Sequence, residues 1–332
     1  MTTSALPDPT PDPVSFDTFM AQAWDAHAGQ PEVVAARLAS PGTHLATTPA
    51  QLGRLAGLLH HIHGTHLGAW DAGTQALQAL LAHPQCTGQA QAEILRALAT
   101  LALCRGDAPE GPPQSLTDRI RVTAMAAAHL AERDTPRAMA LWQDALGQCH
   151  ALQPGAGDPC HRALAVTGNN LASTLEEKAM RTPAERQLMI EAAQAARLHW
   201  EQAGTWLEVE RAEYRLARTW LKAGDASQAR RHAQACQAIV QAQAAPALEH
   251  FFASEALALC AQAAGDGPGL AEARALVERA FAGLAESDRA WCRQILEGLA
   301  ALSAPAWPTR LSPRPGGGTP WCAKCPGCAR SG

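Results

Sequence analysis

Two stretches of this 332-residue chain follow one plan. "YRLARTWLKAGDASQARRHAQAC" (214–236) and "SEALALCAQAAGDGPGLAEARALVERA" (254–280) each pass through Leu-Ala, turn at Gly-Asp, and continue with alanines at helix-packing intervals. The segment "AMAAAHLAERDTPRAMALWQDAL" (124–146) keeps the plan with Arg133-Asp134 at the turn. In "LGAWDAGTQALQALLAHP" (67–84), Ala72 and Ala79 mark a second helix that Pro84 closes. Small residues at these intervals let two antiparallel helices approach closely. One such hairpin cannot bury its own apolar face, so the chain must stack hairpins around a continuous core.

Apolar residues make up 47% of the chain, but only five are Phe and one is Tyr. Ala and Leu dominate, which favours helix over strand. Thr48-Pro49, Thr135-Pro136 and Thr182-Pro183 each place an N-cap hydroxyl before a proline at the first helical position. Ser115 with Asp118 makes a shortened capping box. Gly64, Gly106, Gly204, Gly224 and Gly265 fall where helices should stop. The punctuation predicts an all-α solenoid of antiparallel hairpins with roughly fourteen helices. Their expected limits are 14–28, 31–40, 49–63, 69–82, 88–105, 115–133, 136–151, 160–180, 183–203, 205–223, 226–243, 246–264, 269–284 and 287–302. The helical domain spans 14–302, between an N-terminal tail (1–13) and a Pro/Gly-rich flexible tail (303–332). The "DGPG" of 266–269 is expected to lengthen one turn.

A net charge of −4 and a pI near 6.3 argue against nucleic acid as the partner, since phosphate contacts need clustered basic residues. No basic segment followed by an apolar run opens the chain, and no stretch approaches the ~18 apolar residues of a membrane span. The expectation is a cytoplasmic protein without a membrane partner. Arg outnumbers Lys 24 to 3, the bias of a GC-rich bacterial gene. No phosphate-binding loop, nucleophile elbow or His-Glu-x-x-His is present, so no enzyme is expected. In "HHIHGTH" (60–66), His60 and His63 share a helix face as metal ligands would. The structural alternative is that Gly64 ends the helix and the histidines serve its free carbonyls. Cys86, Cys104, Cys149, Cys160, Cys236, Cys260 and Cys292 lack metal spacing and read as small reduced core residues.

In the 205–236 unit, Leu216, Ala217, Trp220, Gly224, Ala229 and Cys236 stand in a pattern that resembles the tetratricopeptide repeat. The string "NNLASTLEE" (169–177) is similar to the Asn-Asn-Leu-Ala variant of kinesin-light-chain-type repeats. The resemblance covers roughly 49–285, although Ala72, Ala138, Ala229 and Ala273 are not regularly spaced. It implies that the first helix of each hairpin lines a concave groove for a peptide or protein segment.

On "LEVERAEYRLARTWLK" (207–222), Arg211, Arg215, Arg218 and Lys222 recur at intervals that put them within a roughly 60° arc. Val209, Leu216 and Trp220 lie opposite and should face the core. Glu208 is the one acid near the stripe on its own helix, so local helix stability does not account for it. The resemblance places Asn170, Arg211 and Arg215 at positions of the carboxylate clamp, in which a groove grips a partner's C-terminal carboxylate and acidic side chains. Thr123 and Ala127 stand where that clamp has Lys and Asn. The expected peptide-binding set is therefore Asn170, Arg211, Tyr214, Arg215 and Arg218. A solvated charged face, or contacts to acids elsewhere in the chain, is the plainer explanation of the stripe.

Near the end, "WCAKCPGC" spaces Cys322, Cys325 and Cys328 three apart. It lacks the strand–helix setting of a thioredoxin motif. Three thiolates could close on zinc if a fourth ligand came from elsewhere. The alternative function is thus a metal-binding or metal-responsive protein, with no other cofactor expected.

Overall fold

The computed structural model describes residues 15–109 and 115–302, and all regular secondary structure in them is helical. They fall into two units, which divide between residues 111 and 112. The first holds α1 (Phe16–Ala26), α2 (Pro31–Arg37), the single turn α3 (Thr43–Leu45), α4 (Pro49–His61), α5 (Trp70–Leu80) and α6 (Gly88–Arg105). The second holds α7 (Leu116–Leu130), α8 (Thr135–Leu152), α9 (Pro159–Glu177), α10 (Pro183–Ala203), α11 (Trp206–Ala223), α12 (Ala226–Ala242), α13 (Ala247–Ala263), α14 (Gly267–Ala282) and α15 (Glu286–Ala300). Apart from α3, these are the helices the punctuation predicts, with ends shifted by at most about one turn.

In the second unit α7 packs on α8, α9 on α10, α11 on α12 and α13 on α14. The hairpins join through α10–α11 and α12–α13. First helices of successive hairpins also touch, in the order α7, α9, α11, α13, α15. This is the neighbour-by-neighbour packing of a helical repeat. Ala217, Ala229, Ala233 and Ala256 are fully buried at the crossings, and Phe251, Phe252 and Val240 fill the space between them. Gly168 marks the tightest approach. A Cβ there would lie 2.6 Å from the Ala192 carbonyl oxygen and 3.0 Å from the Trp142 ring, so α9, α10 and α8 meet only because the side chain is a hydrogen. In the first unit α4 packs on α5 and α6, around Leu52, Leu55, Leu59, Ile62, Leu77 and Ile94.

Thr48, Ser115 and Thr182 cap their helices as expected, and Glu185 completes a full capping box with Thr182. Four local readings need correction. Asp134, not Thr135, caps α8: its carboxylate accepts the Arg137 N–H at 3.2 Å, while Thr135 bonds back to the Ala131 carbonyl. The "DGPG" insertion lengthens no turn, because Asp266 accepts the Gly269 N–H at 2.9 Å and α14 starts at Gly267. Gly204 is extended, at φ −112°, and is no left-handed stop. Nor does Gly64 end α4. The helix winds on through a π turn, Ile62–Leu67, and stops at Gly68, whose φ of 60° suits glycine.

Six of the seven described cysteines are buried, Cys86 is half-buried, and none is in a disulfide. Among the described residues no helix is long and apolar enough to cross a membrane.

Candidate functional site

The basic stripe lies on α11, which opens with a capping box. The Thr205 N–H donates to the Glu208 carboxylate at 2.8 Å. A stripe of this kind on a one-sided helix would face water. Here α9, α10, α12 and α13 all pack on α11, and the helix is buried on most of its circumference. Leu216 enters the core as expected, whereas Val209 and Trp220 are only half-buried. Arg215 is 4% exposed and Tyr214 6%.

Each arginine of the stripe meets a carboxylate from a neighbouring first helix. Arg215 Nη1 donates to Glu176 on α9 at 2.7 Å, and the fully buried Thr219 hydroxyl takes the other oxygen at 2.5 Å. Arg211 Nη2 donates to Glu249 on α13 at 2.8 Å. Arg218 reaches Glu255, also on α13, at 3.3 Å, and Tyr214 donates its hydroxyl to the same carboxylate at 2.6 Å. A ladder of ion pairs thus runs from α9 across α11 to α13. Asn170 sits half-buried on α9, the helix that carries Glu176. The structure therefore gathers Arg211, Tyr214, Arg215 and Arg218 into one layer, while Asn170 shares only the α9 helix with the Glu176 that pairs with Arg215.

Behind the ladder lie two more acids of α11. Glu213 accepts from Arg197 Nε at 2.6 Å and from His232 Nδ1 at 2.7 Å. Burial alone would raise its carboxyl, but these two bonds outweigh burial and hold it below the usual range. Glu210 is 1% exposed and accepts the Cys236 thiol at 2.9 Å. Burial pushes its carboxyl up to about 8 against that hydrogen bond, and the Glu249 charge adds to the rise.

A stability effect follows with a definite sign. Below the ordinary value of 4.5 Glu210 is protonated in both states and contributes nothing. Between 4.5 and about 8 the unfolded chain releases a proton that the folded chain keeps, so this group lowers stability as pH rises. Glu210→Gln is expected to be close to neutral at pH 4.5 and increasingly stabilising toward pH 8, relative to wild type. Urea unfolding at the two pH values reads this, and an unchanged difference would refute it.

A second polar cluster joins α8, α9 and α10. Cys149 and Cys160 place their sulfurs 4.0 Å apart. His161 Nδ1 lies 2.9 Å from His199 Nδ1, and its Nε2 lies 3.3 Å from the Pro154 carbonyl. Burial, then His161, lowers His199 to about 4. These groups bond to one another and to the backbone.

Sequence reasoning missed the acids Glu176, Glu249 and Glu255. The available signal was the repeat itself, for Arg211, Tyr214, Arg215, Arg218 and Thr219 each bond to an acid 37 to 43 residues away, about one hairpin along. Cys322, Cys325 and Cys328 lie outside the described residues. No protein-family model, no curated protein and no solved structure matches this chain.

Proposed function

We propose that the chain is a docking protein, a divergent tetratricopeptide-like array that holds a protein or peptide segment along its row of first helices and catalyses no reaction. The layering of the ion pairs supports this reading. Arg211 and Arg218 keep 22% and 20% of their side chains exposed, above Glu249 and Glu255 at 3% each. Both arginines thus keep more of their side chains exposed than the acids they pair with, and guanidinium suits a two-pronged grip on carboxylate. The segment is acidic or ends in a free carboxylate, Asn170 bonds its backbone, and Tyr214 and Arg215 hold the frame from below. A cytoplasmic, bacterial setting belongs to the same reading, with neither nucleic acid nor membrane as partner.

The test is fluorescence anisotropy with a labelled oligoglutamate peptide carrying a free C-terminus. Wild type should bind it, and Arg211→Gln/Arg218→Gln should weaken binding about tenfold or more, the effect of ~1.4 kcal/mol. Equal affinity in folded variant and wild type would sink the proposal. The alternative, metal handling through Cys322, Cys325 and Cys328, rests on their spacing alone. A Cys322→Ser/Cys325→Ser/Cys328→Ser variant that retains as much zinc as wild type after anaerobic loading would remove it.

A further inference from the structure

In the first unit, three histidines from separate turns converge. His27 is the C-cap of α1, His61 is the last residue of α4, and His66 lies in the π turn. On a regular α-helix residues five apart point about 140° from each other. The wider π turn brings position i+5 back over i, and His61 and His66 place their Nε2 atoms 3.1 Å apart. The three ring centres form a near-equilateral triangle with sides of 5.2 Å (His27–His61), 5.0 Å (His27–His66) and 4.9 Å (His61–His66). The candidate ligand atoms all lie within 4.8 Å of one another.

That triangle has the dimensions of a metal site. Zinc–imidazole bonds of ~2.0–2.1 Å in a tetrahedron set ligand nitrogens about 3.3 Å apart and ring centres about 5 Å apart. Two of the outer nitrogens, those of His27 and His61, are held as ligating histidines require. His27 Nδ1 bonds to the Trp24 carbonyl, and His61 Nδ1 faces the Thr65 hydroxyl at 3.4 Å, which turns each Nε2 toward the centre. Trp24 walls one side, with its ring 5.0 Å from His27 and 5.7 Å from His61. All three histidines are half-buried, so an ion can enter from solvent.

We propose that His27, His61 and His66 bind one divalent first-row transition metal through three imidazole nitrogens, with a fourth position open to water. The ion would tie the end of α1 to the end of α4 and would stabilise the folded chain by mass action.

The experiment uses the full chain with Cys322, Cys325 and Cys328 replaced by serine, titrated with cobalt(II) after chelator treatment. One equivalent should bind, with visible ligand-field bands, no sulfur-to-cobalt charge transfer, and a raised Tm. His27→Ala and His66→Gln should each weaken binding by about 100-fold or more, with the helical circular dichroism retained. His199→Ala, in the other cluster, should leave the bands unchanged. No cobalt spectrum, a spectrum that survives both His27→Ala and His66→Gln, or one lost in His199→Ala would overturn the assignment.

Discussion

Glu176→Ala is expected to lower the free energy of unfolding by about 3–5 kcal/mol, the cost of breaking one side of a buried ion pair. The Arg215 side chain is 5% exposed and would lose its carboxylate at 2.7 Å while staying withdrawn from bulk solvent. Thr219, fully buried, would lose its acceptor in the same step. The loss comes mainly from stranding a charge, not from the pair's own attraction, and that distinction can be measured. Glu176→Leu/Arg215→Met/Thr219→Val removes the charges and the hydroxyl together, and should recover most of the stability. Urea unfolding followed by circular dichroism reads both variants. A single-mutant loss below about 1 kcal/mol would mean a solvent-screened pair.

Trp142→Ala carries a comparable expectation, about 3–5 kcal/mol for a large aromatic removed from a core. Trp142 is fully buried, and its indole N–H has no hydrogen-bond partner among the described residues, so the whole effect is packing. Its ring fills the space that Gly168 leaves on α9. Gly168→Ala is itself expected to cost about 1–3 kcal/mol by overpacking. Removing Trp142 should not relieve that cost, because the new methyl would also lie 2.6 Å from the Ala192 carbonyl oxygen, which the α10 backbone fixes. Thermal unfolding of the single and double variants decides it. A Gly168→Ala penalty that vanishes in the Trp142→Ala background would show that the ring, not the backbone, sets the approach.

Helix number and order were legible because local chemistry sets them. Caps at Thr48, Ser115 and Thr182 act within one turn, and no distant residue is needed to read them. The π turn was hidden for the opposite reason. Gly64 has the look of a stop, but tertiary packing carries the chain on to Gly68 and so aligns His61 with His66. The stripe on α11 was visible, yet its surroundings were not. Periodicity reports one helix's faces and does not count the neighbours, and four helices cover this one. Glu176, Glu249 and Glu255 look like ordinary surface acids until the repeat register sets them one hairpin from their arginines.

The most direct test of whether the stripe is turned onto its neighbouring first helices is a double-mutant cycle across α11 and α13. Arg211→Ala, Glu249→Ala and the double variant would be compared by urea unfolding. The Glu249 side chain is 3% exposed and its partner 22%, so the pair is largely withdrawn from solvent screening. A coupling energy of about 1.5–3 kcal/mol is expected for such a pair. A coupling near zero would place Arg211 on a solvated face and contradict the ion-pair ladder.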